Sequence, residues 1–223
     1  MRLYSGAVSL FSRKVEIALF EKGLAFERIQ VPFSQSTGYA PRHPVVLAAN
    51  PKAQVPVLVD GDLTLFDSTV ILEYLEDTYP APPLYPAEAK ARARCRLLEL
   101  TADEILLPEV RPLMYRTEPP SPDPERQLQR QADGHKAEAA LLGRYRELEE
   151  RLGQQACFCG DFSAADIAIF MNVLWILRLN GPRLTGHPGL AAWYGRIAAR
   201  PSAAKIAAEI AAADRELSPE LQA

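Results

Sequence analysis

The 223-residue sequence predicts an α/β segment of about 80 residues followed by an all-α segment. Three observations carry this division. Short β-type runs alternate with helical spacing before residue 80, and the remainder is rich in Ala, Leu, Glu and Arg and poor in strand formers. Between them the prolines crowd together: ten of the nineteen fall from Pro80 to Pro124. Tyr79-Pro80-Ala81-Pro82-Pro83-Leu84-Tyr85-Pro86 cannot be helix interior and reads as a stiff connector, residues 80–86.

Arg2-Leu3-Tyr4 is predicted as a short strand. Phe11, Val15, Ala18 and Leu19 recur at helical spacing, and Gly23 supplies the stop. Phe26 to Val31 alternates as a strand, residues 33–44 form a polar loop, and a short helix spans Val45–Ala49, ended by Asn50-Pro51. Val55–Val59 and Leu63–Phe66 are two strands joined through Asp60-Gly61-Asp62, a hairpin signal. Ser68–Thr78 is a helix with Val70, Ile71, Tyr74 and Leu75 for its buried face. The second segment holds helices over Ala87–Met114 (kinked near Pro108 and Pro112), Glu125–Leu152, Ala164–Leu179, Leu190–Ala199 and Ala203–Glu216. Ser163-Ala164-Ala165-Asp166 ahead of an apolar run is a capping box.

Composition narrows the function. The net charge is −3, and neither segment is basic: residues 1–80 hold seven Lys/Arg against nine Asp/Glu, and residues 81–223 hold eighteen against nineteen. This argues against a nucleic-acid partner. No run approaches the roughly 18 apolar residues of a membrane span. Arg13, Lys14 and Glu16 fall where a secretory signal would be apolar. Three cysteines make no disulfide framework, so the expectation is a cytoplasmic protein. Phosphate-cradling glycines and HExxH are missing, and Cys157-Phe158-Cys159 has no second Cys/His pair, so no metal is expected.

Three features of the first segment carry chemistry, each with a plainer alternative. Ser5-Gly6-Ala7-Val8-Ser9-Leu10-Phe11-Ser12 puts hydroxyls at a helix start, where N–H groups and the helix dipole favour a thiolate; Ser9 or Ser12 is otherwise a simple cap. In Gln54-Val55-Pro56-Val57, a cis Val–Pro bond turns backbone groups toward a ligand; otherwise Pro56 is a trans edge-strand proline. Asp67-Ser68 opening a helix suits an amino-acid zwitterion, with Asp67 on the ammonium and Ser68 on the carboxylate, or is only another cap.

Taken in order, Leu3-Tyr4-Ser5…Ser9-Leu10-Phe11-Ser12-Arg13-Lys14-Val15, Asn50-Pro51…Gln54-Val55-Pro56-Val57-Leu58, Asp67-Ser68…Glu73-Tyr74-Leu75 and Asp161-Phe162-Ser163-Ala164-Ala165-Asp166 resemble the cytosolic glutathione transferase superfamily over essentially the whole chain. The resemblance implies a thioredoxin-like glutathione-binding domain (residues 1–79) and an all-α domain (residues 87–223) that forms an electrophile pocket. It implies glutathione as co-substrate, Ser9 holding its thiolate, Val55 pairing with the cysteinyl unit beside a cis Pro56, and Asp67 and Ser68 taking the γ-glutamyl end. For the glycyl carboxylate the candidates are Gln54, Arg42 and His43; position 54 is more commonly Lys in the family. Tyr4 and Ser12 are rival thiol partners. Phe11, Leu107, Val110, Met114, Tyr115 and Trp175 are the expected electrophile pocket. A homodimer in detoxification is implied. Leu58-Val59-Asp60…Leu63-Thr64-Leu65…Glu73-Tyr74-Leu75-Glu76…Pro82-Pro83-Leu84 also resembles the stringent starvation protein A group, which implies the alternative of a non-catalytic protein that binds RNA polymerase.

Overall fold

The computed structural model describes residues 1–40 and 42–222; Pro41, in the predicted loop, and Ala223, at the end of the predicted second domain, lie outside them. In order the elements are β1 (Arg2–Ser5), α1 (Leu10–Glu21), β2 (Glu27–Gln30), α2 (Pro44–Ala49), β3 (Val57–Asp60), β4 (Leu63–Phe66), α3 (Ser68–Thr78), α4 (Ala89–Thr101), α5 (Leu107–Val110), α6 (Pro124–Leu152), α7 (Ala164–Arg178), α8 (Pro188–Ala198) and α9 (Pro201–Leu217). The chain divides into two compact units. One is Met1–Tyr85 with Pro201–Leu217; the other is Pro86–Arg200 with the segment that begins at Ser218.

The first unit is built on a mixed sheet ordered β2-β1-β3-β4, with β1 parallel to β2 and antiparallel to β3. This is the thioredoxin-like arrangement. Strand alternation gives the sheet two apolar faces. Leu3 and Leu58 are register partners and fully buried, and Val15, Ala18, Leu19, Ile71 and Leu75 are buried with them. Tyr4 and Val57, the next register pair, turn the other way into a cluster with Val31, Val46 and Val55. Each such buried Val, Leu or Ile side chain contributes about 1.5–3 kcal/mol.

The hairpin turns between Asp60 and Leu63, with Gly61 at φ 61°. Gly23 stops α1 with φ 64°. Of the expected buried face of α3, Ile71 and Leu75 are buried, Tyr74 is half-buried and Val70 is 49% exposed, with Leu72 buried instead. The connector is pinned rather than merely stiff. The buried Lys22 ammonium donates to Glu76 (2.7 Å) and to the carbonyls of Tyr79 (2.7 Å) and Pro82 (3.0 Å), while Glu76 also accepts from the Leu84 N–H (2.9 Å). α9 packs on α1, where Ser202 donates to Glu21 and Glu209 accepts from Arg13 and Arg28.

In the second unit the prolines change the helical pitch instead of ending the helix. Pro108 has no N–H for the carbonyl four residues back, and a π-helical segment, Ala102–Leu106, precedes it; around Pro112 the chain tightens to a 3-10 helix over Arg111–Thr117. The predicted helix to Met114 therefore runs three residues further. α7 is apolar nearly all round, and residues such as Ile167, Phe170 and Val173 are fully enclosed. Its start is the predicted capping box. The Asp166 carboxylate accepts from the N–H (3.0 Å) and hydroxyl (2.9 Å) of Ser163, from the Phe158 N–H (3.0 Å) and from the Trp193 indole (2.9 Å). Burial pushes this carboxyl up from the usual range, and the hydrogen bonds pull it back.

Candidate glutathione site

The corner between β1 and α1 is held by a buried ion network. Ser5 donates to Glu16 (2.5 Å), and Glu16 accepts from Arg13 (2.6 Å) and Arg28 (2.7 Å). The Arg13 guanidinium also donates to the Ala7 carbonyl (2.9 Å), which fixes the loop in front of the helix. Both Glu16 and Arg13 are buried, so removing either leaves the other's buried charge with a single ionic partner, Arg28 for Glu16 and Glu209 for Arg13.

On this base Ser9 caps α1, and its extended backbone (φ −100°, ψ 111°) lets Oγ turn back over the first turn. Ser9 Oγ accepts from the Ser12 N–H (3.3 Å) and from the Ser12 hydroxyl (3.1 Å). Ser12 Oγ in turn accepts from the Gly6 N–H (3.3 Å). Two accepted bonds use both lone pairs of Ser9, which leaves its own O–H to donate outward. The first turn of α1 contains no acidic residue, so the positive end of the helix dipole is not cancelled there. Ser12 is fully buried and supports Ser9 from behind. Tyr4 is 5% exposed in the sheet, with its ring against His43 (centroids 4.9 Å).

The other predicted ligands lie in the same unit. The Val55–Pro56 bond is cis, and Val55 is buried just ahead of β3. Asp67 caps α3: Oδ1 accepts from the N–H groups of Thr69 (3.0 Å) and Val70 (3.4 Å). It does so at φ 74°, a left-handed conformation costly to a residue with a Cβ, of the kind that clusters at ligand sites. Ser68 is buried at the first position of that helix. Arg42 donates to the Ala53 carbonyl (3.1 Å), and the Gln54 carbonyl accepts from Asn50 (2.8 Å), so Arg42 and Gln54 flank one turn. His43 caps α2 through Nδ1, which accepts from the Val45 N–H (3.2 Å).

Of the expected electrophile residues, Phe11 is half-buried two residues beyond Ser9. Leu107, Val110 and Trp175 are buried in the second unit, Trp175 beneath the Arg178 guanidinium (4.7 Å). Met114 and Tyr115 line a cavity of about 670 Å³ with Arg111 and Arg130, and a second cavity of about 410 Å³ is walled by Leu98, Ile105, Leu148 and Ile169.

Tyr39 was not singled out by sequence reasoning, yet its hydroxyl lies beside Ser9. It follows a tight loop closed by paired Ser34 and Gly38 hydrogen bonds (2.9 and 2.8 Å), and its ring packs on Phe33 (5.0 Å). No periodicity marks it; the only signal is a large aromatic in a loop of serines, threonine and glycine.

Residues 3–83 match the glutathione S-transferase N-terminal domain, and residues 108–201 match the C-terminal domain. A glutathione S-transferase structure from Rhodospirillum rubrum is 30% identical with a TM-score of 0.77, covering 92% of this chain and 90% of that one. The chain belongs to the glutathione S-transferase family. A second member of the family, a sphingomonad glutathione S-transferase complexed with glutathione, is 26% identical with a TM-score of 0.73, covering 95% of this chain and 99% of that one. A different relative is more similar over a shorter stretch: a stringent starvation protein A homologue from Coxiella burnetii is 44% identical over 100 residues, 44% of each chain. The matched stretch thus spans less than half of that relative. No helix among the described residues is long and apolar enough to cross a membrane.

Proposed function

We propose that this family member is a glutathione transferase that ionises the glutathione thiol at Ser9 and directs it at a small hydrophobic electrophile. The observation that carries this is the Ser9 hydroxyl, its lone pairs filled by Ser12, with a hydrogen left to donate at an uncancelled helix N-terminus. The thiol proton leaves to solvent, the thiolate sulfur bonds to the electrophilic carbon, and the leaving group departs with its electron pair. Ser9 lowers the energy of the charged sulfur by a preorganised donor.

The remaining ligands follow from the same unit. The Val55 backbone pairs with the cysteinyl unit, and Ser68 with its amide takes the γ-glutamyl carboxylate. Asp67 faces the ammonium. Arg42, Gln54 and His43 hold the glycyl end; of these Arg42 brings the charge that Gln54 lacks. Residues 1–79 form the glutathione-binding part and residues 87–223 the electrophile pocket, joined by residues 80–86. Exposed apolar side chains on β4 and α3 (Leu63, Phe66, Val70) and on α4 (Leu97, Leu100) support a homodimer. Sedimentation tests the dimer. Ser9→Ala tests the chemistry: turnover with a chloronitroaromatic substrate should fall about a hundredfold while the fold is kept; unchanged turnover overturns the assignment.

The 44% identity to a stringent starvation protein A homologue supports a second reading, a non-catalytic protein that binds a protein partner such as RNA polymerase. Immobilised glutathione separates the two. A transferase is retained and eluted by free glutathione, and a protein with an idle site flows through.

A further inference from the structure

A buried hydroxyl without a partner is expensive, about 1–3 kcal/mol, and calls for an explanation. The Tyr39 Oη is buried and has no acceptor for its proton among the described residues. It is also held very close to the backbone of the thiol corner: a Cβ added to Gly6 would lie 2.0 Å from it. Glycine at position 6 is what lets the phenol reach this spot. The ring is fixed by Phe33 on one side and by the Tyr4, Val31, Val46, Val55 and Val57 cluster on the other, so the hydroxyl cannot swing away to water cheaply.

Ser9 cannot take the Tyr39 proton, because both of its lone pairs already accept from Ser12. A donor aimed beside Ser9 with no acceptor in the protein is arranged for an acceptor that arrives. We infer that Tyr39 is a second catalytic residue, whose O–H donates to the same thiolate that Ser9 holds. This rests on the glutathione transferase reading above. The anion then receives two neutral donors from opposite directions in sequence, one from the start of α1 and one from the loop before α2.

The surrounding charges fit this role. The Arg13 charge acts on the Tyr39 phenol, and Glu16 and Glu209 balance it, so it contributes field without a net excess. His43, tilted against the Tyr4 ring, is a further titratable group beside this cluster. Burial pushes the Tyr39 phenol up to about 12, which keeps it a proton donor across the working range of pH.

The test is Tyr39→Phe, which removes one oxygen and keeps the ring. The readout is the ultraviolet absorbance of thiolate in the glutathione complex as a function of pH. The bound thiol pKa is expected to rise by about one unit, with turnover near neutral pH down about tenfold and recovered at alkaline pH, where glutathione ionises unaided. A loss by damage to the fold would persist at every pH. Gly6→Ala should reproduce the shift, since its Cβ displaces Oη. If Tyr39→Phe leaves the thiol pKa where it is while Ser9→Ala raises it, Tyr39 has no such role and the transferase reading stands. If wild-type protein binds no glutathione as thiolate, both fall together.

Discussion

Two helices of this chain begin with a serine cap, and the fourth residue makes them opposites. At α7, Ser163-x-x-Asp166 closes on itself: the carboxylate collects four donors, neutralises the helix start and is sealed from water. At α1, Ser9-x-x-Ser12 carries no charge, and the hydroxyls are stacked so that Ser12 donates to Ser9 and Ser9 is left to donate outward. The first is a structural lock. The second is a helix terminus with no acid of its own, which the proposed function assigns to an anion from outside. A buried helix start without an internal acid is therefore the informative one, because something must eventually balance it.

The contrast can be broken at either end. The largest effect is expected from Asp166→Ala, which leaves the Phe158, Ser163 and Trp193 donors buried without an acceptor; unfolding free energy should fall by about 3–5 kcal/mol, read by denaturant titration. Next comes Ser12→Asp, which writes the α7 box into α1. The helix should remain by circular dichroism, while turnover falls about a hundredfold because an internal carboxylate now occupies the field meant for the thiolate. Ser12→Ala is milder: Ser9 loses one acceptor contact and the Gly6 N–H its partner, and turnover should drop about tenfold with little change in KM.

The smallest effect concerns pH. Folded Asp166 holds its proton to higher pH than an unfolded carboxyl. Its contribution is therefore fully present below about pH 4 and lost as pH rises through the folded pKa. Asp166→Asn should flatten that part of the stability profile measured by thermal melting. No Ser12 variant without a carboxyl should do so.

Much of this was legible in the sequence because the partners are close along it. Ser163 and Asp166 are three residues apart, so the local spacing alone exposes the α7 box, and the serines at the start of α1 are visible as caps in the same way. The hairpin at Gly61 and the stop at Gly23 are equally local. What escaped depends on distance. Tyr39 is thirty positions from Ser9, in a loop without period, and only the packing of Phe33 and the bare backbone of Gly6 bring its hydroxyl to the corner. Val70 escaped for a related reason: its helical phase is compatible with burial, but Ile71, Leu72 and Leu75 already fill the face that packs. The helix around Pro108 and Pro112 persists because neighbouring turns widen and tighten around each proline, which propensity alone does not reveal.

The central claim, that the start of α1 ionises a bound thiol through Ser9, is tested most directly by titrating the thiolate absorbance of glutathione bound to the wild-type protein and to Ser9→Ala. The wild-type complex should show a thiol half-ionised below about pH 7.5, and the variant one close to the free thiol value of about 8.5. Equal titrations in the two proteins would contradict it.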